Sequence, residues 1–257
     1  MKVVLFCGGK GVRIRRDASD LPKPLVRIGQ RPILWHIMKY YAHYGHKDFV
    51  LCLGYKAHLI KKFFLEYDEC VSNDFTITEG GERVDLVRKD IQDWRITFVD
   101  TGLNASIGQR LYAVRNYLAG EEMFLANYAD GLSNLHLPTM IDQVRKSDAT
   151  AGFLSVRPRQ SFHVVRAAPD GLVDSIEVMS NADIWINAGY FVLRNSIFDH
   201  MKPGEELVNE PFGRLIQQRK LIAHRFEGFW ASMDTFKEKQ TLEAMHAEGK
   251  ASWQVWT

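Results

Sequence analysis

The sequence predicts an α/β fold built on a mixed sheet, with a β-rich insertion and a C-terminal helical extension. Three observations carry this expectation. Short apolar runs break off at glycine or aspartate, as buried strands do on entering a loop at a sheet edge. Stretches with apolar residues at helical spacing alternate with those runs. The middle of the chain changes instead to segments in which apolar and polar residues alternate, the pattern of partly exposed strands.

The elements follow in order. Val3 to Cys7 is an apolar run broken at once by Gly8-Gly9-Lys10-Gly11, hence a buried strand entering a glycine loop. Ile33 to Gly45 is a helix, with Pro32 accepted in its first turn and Ile33, Leu34, Ile37, Met38 and Tyr41 at helical spacing. Phe49 to Gly54 is a second buried strand, and Ala57 to Tyr67 a second amphipathic helix. Phe75 to Thr78, Arg83 to Val87 and Arg95 to Val99 alternate and predict strands. Ile107 to Leu118 reads as a helix, Met123 to Tyr128 as a buried strand, Pro138 to Ser147 as a helix and Ala151 to Val156 as a strand. Short strands follow from Phe162 to Leu193, then helices at Pro211 to Arg219 and Met233 to Glu248. No repeat or linker interrupts the chain. The expected unit is one domain over 1–257, divided into halves at 1–135 and 136–232 and an extension at 233–257.

Composition excludes several classes. With 257 residues, 46% hydrophobic and 25% charged, the chain can bury a full core. Lys+Arg 33 against Asp+Glu 31 leaves +2, too little for a nucleic-acid-binding stripe. Cys7, Cys52 and Cys70 lack the spacing of a disulfide scaffold or zinc ribbon, and Cys7 and Cys52 sit in apolar runs as core thiols. No apolar stretch is long enough to span a membrane, and the opening residues do not form a signal peptide. The expectation is a cytoplasmic protein with neither a membrane nor a nucleic-acid partner.

In open sheets a ligand binds outside the carboxyl ends of the strands, and the first strand–loop junction is the usual phosphate site. Gly8, Gly9 and Gly11 permit positive φ and close backbone approach, and Lys10, Arg13, Arg15, Arg16 and Lys23 crowd the same loop. A tight turn beside a solvated basic face would look similar, but the clustered cations favour a polyphosphate ligand. The loop is not a Walker A motif, and Ile14 replaces the third glycine of a dinucleotide fingerprint, so neither flavin nor NAD is expected. Asp130 ends a buried strand just before Gly131, where a carboxylate can hold Mg²⁺ or Mn²⁺ against phosphates. Asp234 precedes a helix, and its local reading is an N-cap. Asp100 reads as structural, and His36 and His43 as core or surface residues.

Gly8-Gly9-Lys10-Gly11-Val12-Arg13 followed by Pro22-Lys23-Pro24 resembles the GGxGTR…PKP signature of sugar-1-phosphate nucleotidyltransferases. Pro32 to Lys39, Lys47-Asp48-Phe49, Gly54-Tyr55-Lys56, Val99 to Gly102, Ala129-Asp130-Gly131, Gly228-Phe229-Trp230 and Met233-Asp234-Thr235 resemble the glucose-1-phosphate cytidylyltransferase branch. The resemblance implies a Rossmann-like, GT-A-like nucleotidyltransferase fold and substrates drawn from nucleoside triphosphates, sugar 1-phosphates or nucleotide sugars. It implies that Gly8 to Arg13 hold the nucleotide, that Lys23 meets the α-phosphate, and that Asp130 and Asp234 share a divalent metal, overriding the N-cap reading. It further implies that Asn187 faces the sugar, that Gln109 and Arg110 contact base or ribose, and that the chain forms a homo-oligomer.

Two departures alter the expected chemistry. Val12 stands where the family has threonine, and Glu177-Val178-Met179 replaces EKP, whose lysine grips the sugar phosphate. Arg157, Arg159 or His163 could supply the missing cation. With extra cations on the loop, this pattern resembles the flavin-independent, metal-dependent GDP-sugar pyranose/furanose mutases. There Arg13 and Lys23 would stabilise a nucleoside-diphosphate leaving group, and Glu177 and His163 would transfer protons or line the sugar pocket. Isomerisation is therefore the first expectation, nucleotidyl transfer the second and a non-catalytic sugar-nucleotide sensor the third.

Overall fold

The computed structural model describes residues 1–9, 21–87, 90–158, 162–179 and 182–256. Strand β1 (Lys2–Phe6) leads into the glycine loop, and β2 (Arg27–Ile28) pairs with β3 (Arg31–Pro32) ahead of α1 (Ile33–His43). Strand β4 (Asp48–Leu53) and α2 (Ala57–Leu65) complete the first repeat; β5 (Phe75–Thr78) and β6 (Arg83–Leu86) form a hairpin. Strand β7 (Arg95–Asp100), α3 (Ile107–Ala113) and β8 (Met123–Asn127) return to the core, followed by β9 (Gly131–Ser133), α4 (Leu137–Arg145) and β10 (Ala151–Val156). A second hairpin, β11 (His163–Ala167) with β12 (Val173–Val178), precedes β13 (Ile186–Arg194), α5 (Glu210–Gln217), β14 (Leu221–Phe226), β15 (Trp230–Ser232) and α6 (Phe236–Ala247).

Seven strands form one sheet in the order β14-β10-β13-β8-β1-β4-β7. Only β13 runs antiparallel to its neighbours, so the carboxyl ends of the other six strands share one edge with the start of β13. Alternation in β1 sends Val3 and Leu5 into the layer that holds α1 and α4, and Val4 and Phe6 into the layer that holds α3 and α5. Both faces are covered, which is why these strands read as continuous apolar runs rather than alternating ones.

Local differences from the sequence reading have physical causes. The segment from Ile107 to Leu118 is not one helix: α3 ends at Ala113 with Val114 as its cap, and a tighter 3-10 turn runs from Arg115 to Leu118. The strands at 75–78 and 83–86 do not join the main sheet; among the described residues they pair only with each other, and they are largely exposed. The cap of α6 is Thr235, not Asp234. Thr235 accepts from the Glu238 backbone N–H, while the Glu238 carboxylate accepts from the backbone N–H groups of Thr235 and Asp234. Cys7 and Cys52 are buried thiols and Cys70 is exposed. Among the described residues, no helix is long and apolar enough to cross a membrane.

Candidate active site

The carboxyl edge of the sheet opens into a cleft of about 520 Å³ between the ends of β1 and β8. Gly9, Lys23, Tyr128, Asp130, Glu206 and Asp234 are among the residues lining it. Each is delivered by a local device. Lys23 sits between Pro22 and Pro24 in a 3-10 turn anchored by the buried Leu25, so ring-fixed backbone angles aim its side chain. Asp130 follows Ala129, whose φ of 60° lies in the left-handed region; the Asn127 side chain holds that turn by accepting from the Ala129 N–H at 2.7 Å. Asp234 arrives because β15 pairs with β9, matching Ser232 to Gly131, and the Met233 N–H donates to the Asp130 carbonyl at 2.9 Å.

The three charged groups meet. The Lys23 Nζ donates to Asp130 Oδ2 at 2.7 Å and to Asp234 Oδ1 at 2.8 Å. Burial disfavours the Lys23 charge, but the two carboxylates outweigh it and hold the lysine pKa above its ordinary value. The carboxylate side chains keep 30% and 31% of their exposure, so both remain reachable from the cleft. Two hard oxygen donors already share one cation, and that donor chemistry fits a divalent metal. Among the described residues no cluster of three or more His, Cys, Asp or Glu forms a metal cage, so the other ligands would be substrate phosphates and water.

Other predicted residues are placed differently. Lys10, Gly11, Arg13 and Arg15 lie outside the described residues, as do Val12, Arg16 and Arg159. Gly9 borders the cleft, and a Cβ there would meet open space, which leaves room for a ligand. Gly8 is glycine for another reason: a Cβ at that position would lie 2.0 Å from the Arg110 guanidinium. Arg110 borders the cleft but is buried. Its guanidinium donates to the carbonyls of Leu53, Gly102 and Gly8 and to Thr101 Oγ1, tying the ends of β1, β4 and β7 together. Gln109 closes a capping box with Ser106 at the start of α3. Base or ribose contacts from these two side chains would compete with those bonds.

Asn187 begins β13, where it donates to the Tyr128 hydroxyl at 3.3 Å and accepts from the Gly189 N–H at 2.9 Å. Glu177 and His163 lie on the β11–β12 hairpin. His163 is paired with Val178 and Val164 with Glu177, so alternation puts His163 and Glu177 on opposite faces. The hairpin therefore does not present them as an acid–base pair to one substrate, and Glu177 faces Arg166 at 3.5 Å instead.

Sequence reasoning missed Asn127, Tyr128 and Glu206. Asn127 had a usable signal, a lone amide ending an apolar strand just ahead of a strand-end aspartate. Glu206 had none, because it reaches the cleft from the loop before α5 and accepts from the N–H groups of Ile107 and Leu207.

Comparison with known proteins agrees with this architecture. The family described as nucleotidyl transferase matches residues 2–235. Glucose-1-phosphate cytidylyltransferase of Salmonella typhimurium (strain LT2) is 37% identical over 260 residues, covering all of both chains. A Bacillus subtilis (strain 168) protein named "Probable glucose-1-phosphate cytidylyltransferase" is 36% identical over 258 residues, again covering all of both. Among solved structures, UDP-glucose pyrophosphorylase complexed with UDP-glucose shares the fold with a TM-score of 0.70 at 15% identity, covering 96% of this chain and 98% of the other.

Proposed function

The chain belongs to the nucleotidyl transferase family of enzymes, and on that premise we propose that it joins a nucleoside triphosphate to a sugar 1-phosphate with release of pyrophosphate. The observation that carries this reading is the convergence of Lys23, Asp130 and Asp234, from three separate elements, on a cleft at the carboxyl edge of the sheet. The full-length relatives support CTP and glucose 1-phosphate as the substrates.

In this mechanism a phosphate oxygen of the sugar 1-phosphate attacks the α-phosphorus of the triphosphate. A new P–O bond forms, the bond to the β-phosphate oxygen breaks, and its electron pair leaves with pyrophosphate. Asp130 and Asp234 would hold Mg²⁺ or Mn²⁺, which supplies positive charge to the triphosphate when bound. Lys23 presents its ammonium to the α-phosphate, where charge spreads in the transition state. Asn127 keeps the Ala129 turn, and with it the Asp130 carboxylate, in place before substrate arrives. Arg13, on the glycine loop, is proposed as a second cation for the phosphates, and Asn187 as a sugar contact.

The mutase expectation rested on Val12 and on the missing EKP lysine. Transfer is better supported, because the full-length relatives are named for it. We read the whole chain as one catalytic domain acting in the cytoplasm. The test is to incubate the protein with glucose 1-phosphate, Mg²⁺ and each of the four ribonucleoside triphosphates, following pyrophosphate. Release with CTP well above the other three is the expected result. Release with none of them, together with no binding of CTP, would overturn the assignment.

A further inference from the structure

A second cavity, of about 370 Å³, opens on the same sheet edge at the ends of β10 and β14, lined by Arg157, Pro158, Phe226, Glu227 and Trp230 among others. Contacts on both faces of the sheet place it beside the cleft, since Val156 and Phe226, paired with each other, line it from the face opposite Ser155. Across the sheet Asn187 is matched to Ser155 and Ser155 to Arg225, so these residues share one face. Alternation beyond Val156 brings Arg157 to that face as well. Asn187 touches Tyr128 of the cleft, and the Trp230 indole lies 3.1 Å from where a Cβ on Gly131 would stand, next to Asp130. Strand β10 is two strands from β8, about 10 Å, a span that an extended arginine and a hexose phosphate can bridge.

Arg157 is held there but not consumed. Its Cζ stands 5.2 Å from the centre of the Trp185 ring, and Arg225 stacks on the same ring at 5.1 Å. Its charged neighbours, Asp183 at 3.8 Å and Glu227 at 3.9 Å, lie beyond hydrogen-bond distance and are largely exposed. The buried Nε has no hydrogen-bond partner among the described residues. A phosphate monoester fits the planar fork of arginine better than either distant carboxylate does.

We propose that Arg157, steadied by Trp185 with Arg225 on the same ring, binds the phosphate of the sugar 1-phosphate. The inference deepens the nucleotidyl-transfer reading and rests on it for the identity of the ligand.

The experiment is calorimetric titration of the purified chain and of Arg157→Ala with glucose 1-phosphate and, separately, with CTP, both with Mg²⁺. Thermal melts check that the variant is folded. Loss of a fork-type contact to phosphate predicts at least about tenfold weaker glucose 1-phosphate binding, with CTP binding changed less than about twofold. Arg157→Lys, which keeps the charge but not the fork, falls between. In turnover the same variant raises KM for glucose 1-phosphate and leaves KM for CTP unchanged. Unchanged glucose 1-phosphate affinity, or equal loss for both ligands, would overturn the proposal. Because binding is read without turnover, a chain that binds glucose 1-phosphate through Arg157 yet releases no pyrophosphate would sink the transfer reading alone.

Discussion

The Lys23 ammonium lies 2.7 Å from the Asp130 carboxylate and is the pivot on which the site closes, since Asp234 meets the same nitrogen from the opposite end of the chain. In this arrangement a lysine occupies the focus of two carboxylates that would otherwise repel each other. Asp130→Asn and Asp234→Asn should each lower kcat by about a hundredfold or more, because each removes a carboxylate that would hold the divalent metal against the triphosphate. Steady-state rates with retained melting temperature check this. Full activity in either variant would remove that carboxylate from the mechanism.

The cap of α6 separates a structural threonine from its neighbouring aspartate. Thr235→Ala should destabilise the protein by about 1 kcal/mol through loss of the cap, with kcat little changed. Asp234→Ala should show the converse, a large loss of rate. Urea denaturation paired with kinetics measures both, and a rate loss in Thr235→Ala with unchanged stability would reverse the assignment.

Arg110 clamps three strand ends by donating to carbonyls rather than to a carboxylate. Arg110→Ala removes the bonds that tie the three strand ends and opens a cavity under Gly8, so a loss of about 3 kcal/mol is expected. Base preference, measured as the ratio of kcat/KM for CTP and UTP, should stay constant. A changed ratio at unchanged stability would make Arg110 a base-reading residue after all.

His36 gives the molecule an acid-side dependence. Burial pushes its pKa down from 6.5 to about 4, against the support of the Ile28 carbonyl, and the His246 ring 6.1 Å away adds a repulsive charge when protonated. The unfolded chain then binds the proton more readily, so stability is complete above pH 6.5 and declines as pH falls toward 4. The total loss is on the order of 3 kcal/mol. His36→Gln should flatten that decline in urea titrations between pH 7 and 4. An equally steep decline in the variant would place the titrating group elsewhere, with the half-buried His46 as the next candidate.

Much of the scaffold was legible in the sequence because one physical signal, apolar periodicity, marks both strands and helices. The runs Val3 to Cys7, Phe49 to Gly54 and Met123 to Tyr128 each correspond to a central strand of the sheet. Asp130 was legible as a carboxylate at a strand end. The role of Arg110 was not, since an arginine bonded to carbonyls from three separate strand ends leaves no local pattern. The faces of His163 and Glu177 depend on hairpin register, which cannot be read from either strand alone. The cap of α6 was decidable in principle: Thr235 with Glu238 three residues on is a capping-box pattern, whereas Asp234 lacks the partner at that spacing.

The central claim is transfer at the α-phosphorus, and reversing the reaction tests it most directly. CDP-glucose would be incubated with the protein and Mg²⁺, with and without pyrophosphate, and the products separated and identified by mass. The account predicts CTP and glucose 1-phosphate only when pyrophosphate is present, and unchanged CDP-glucose without it. A new species of the same mass as CDP-glucose, formed without pyrophosphate, would contradict it and establish an isomerase.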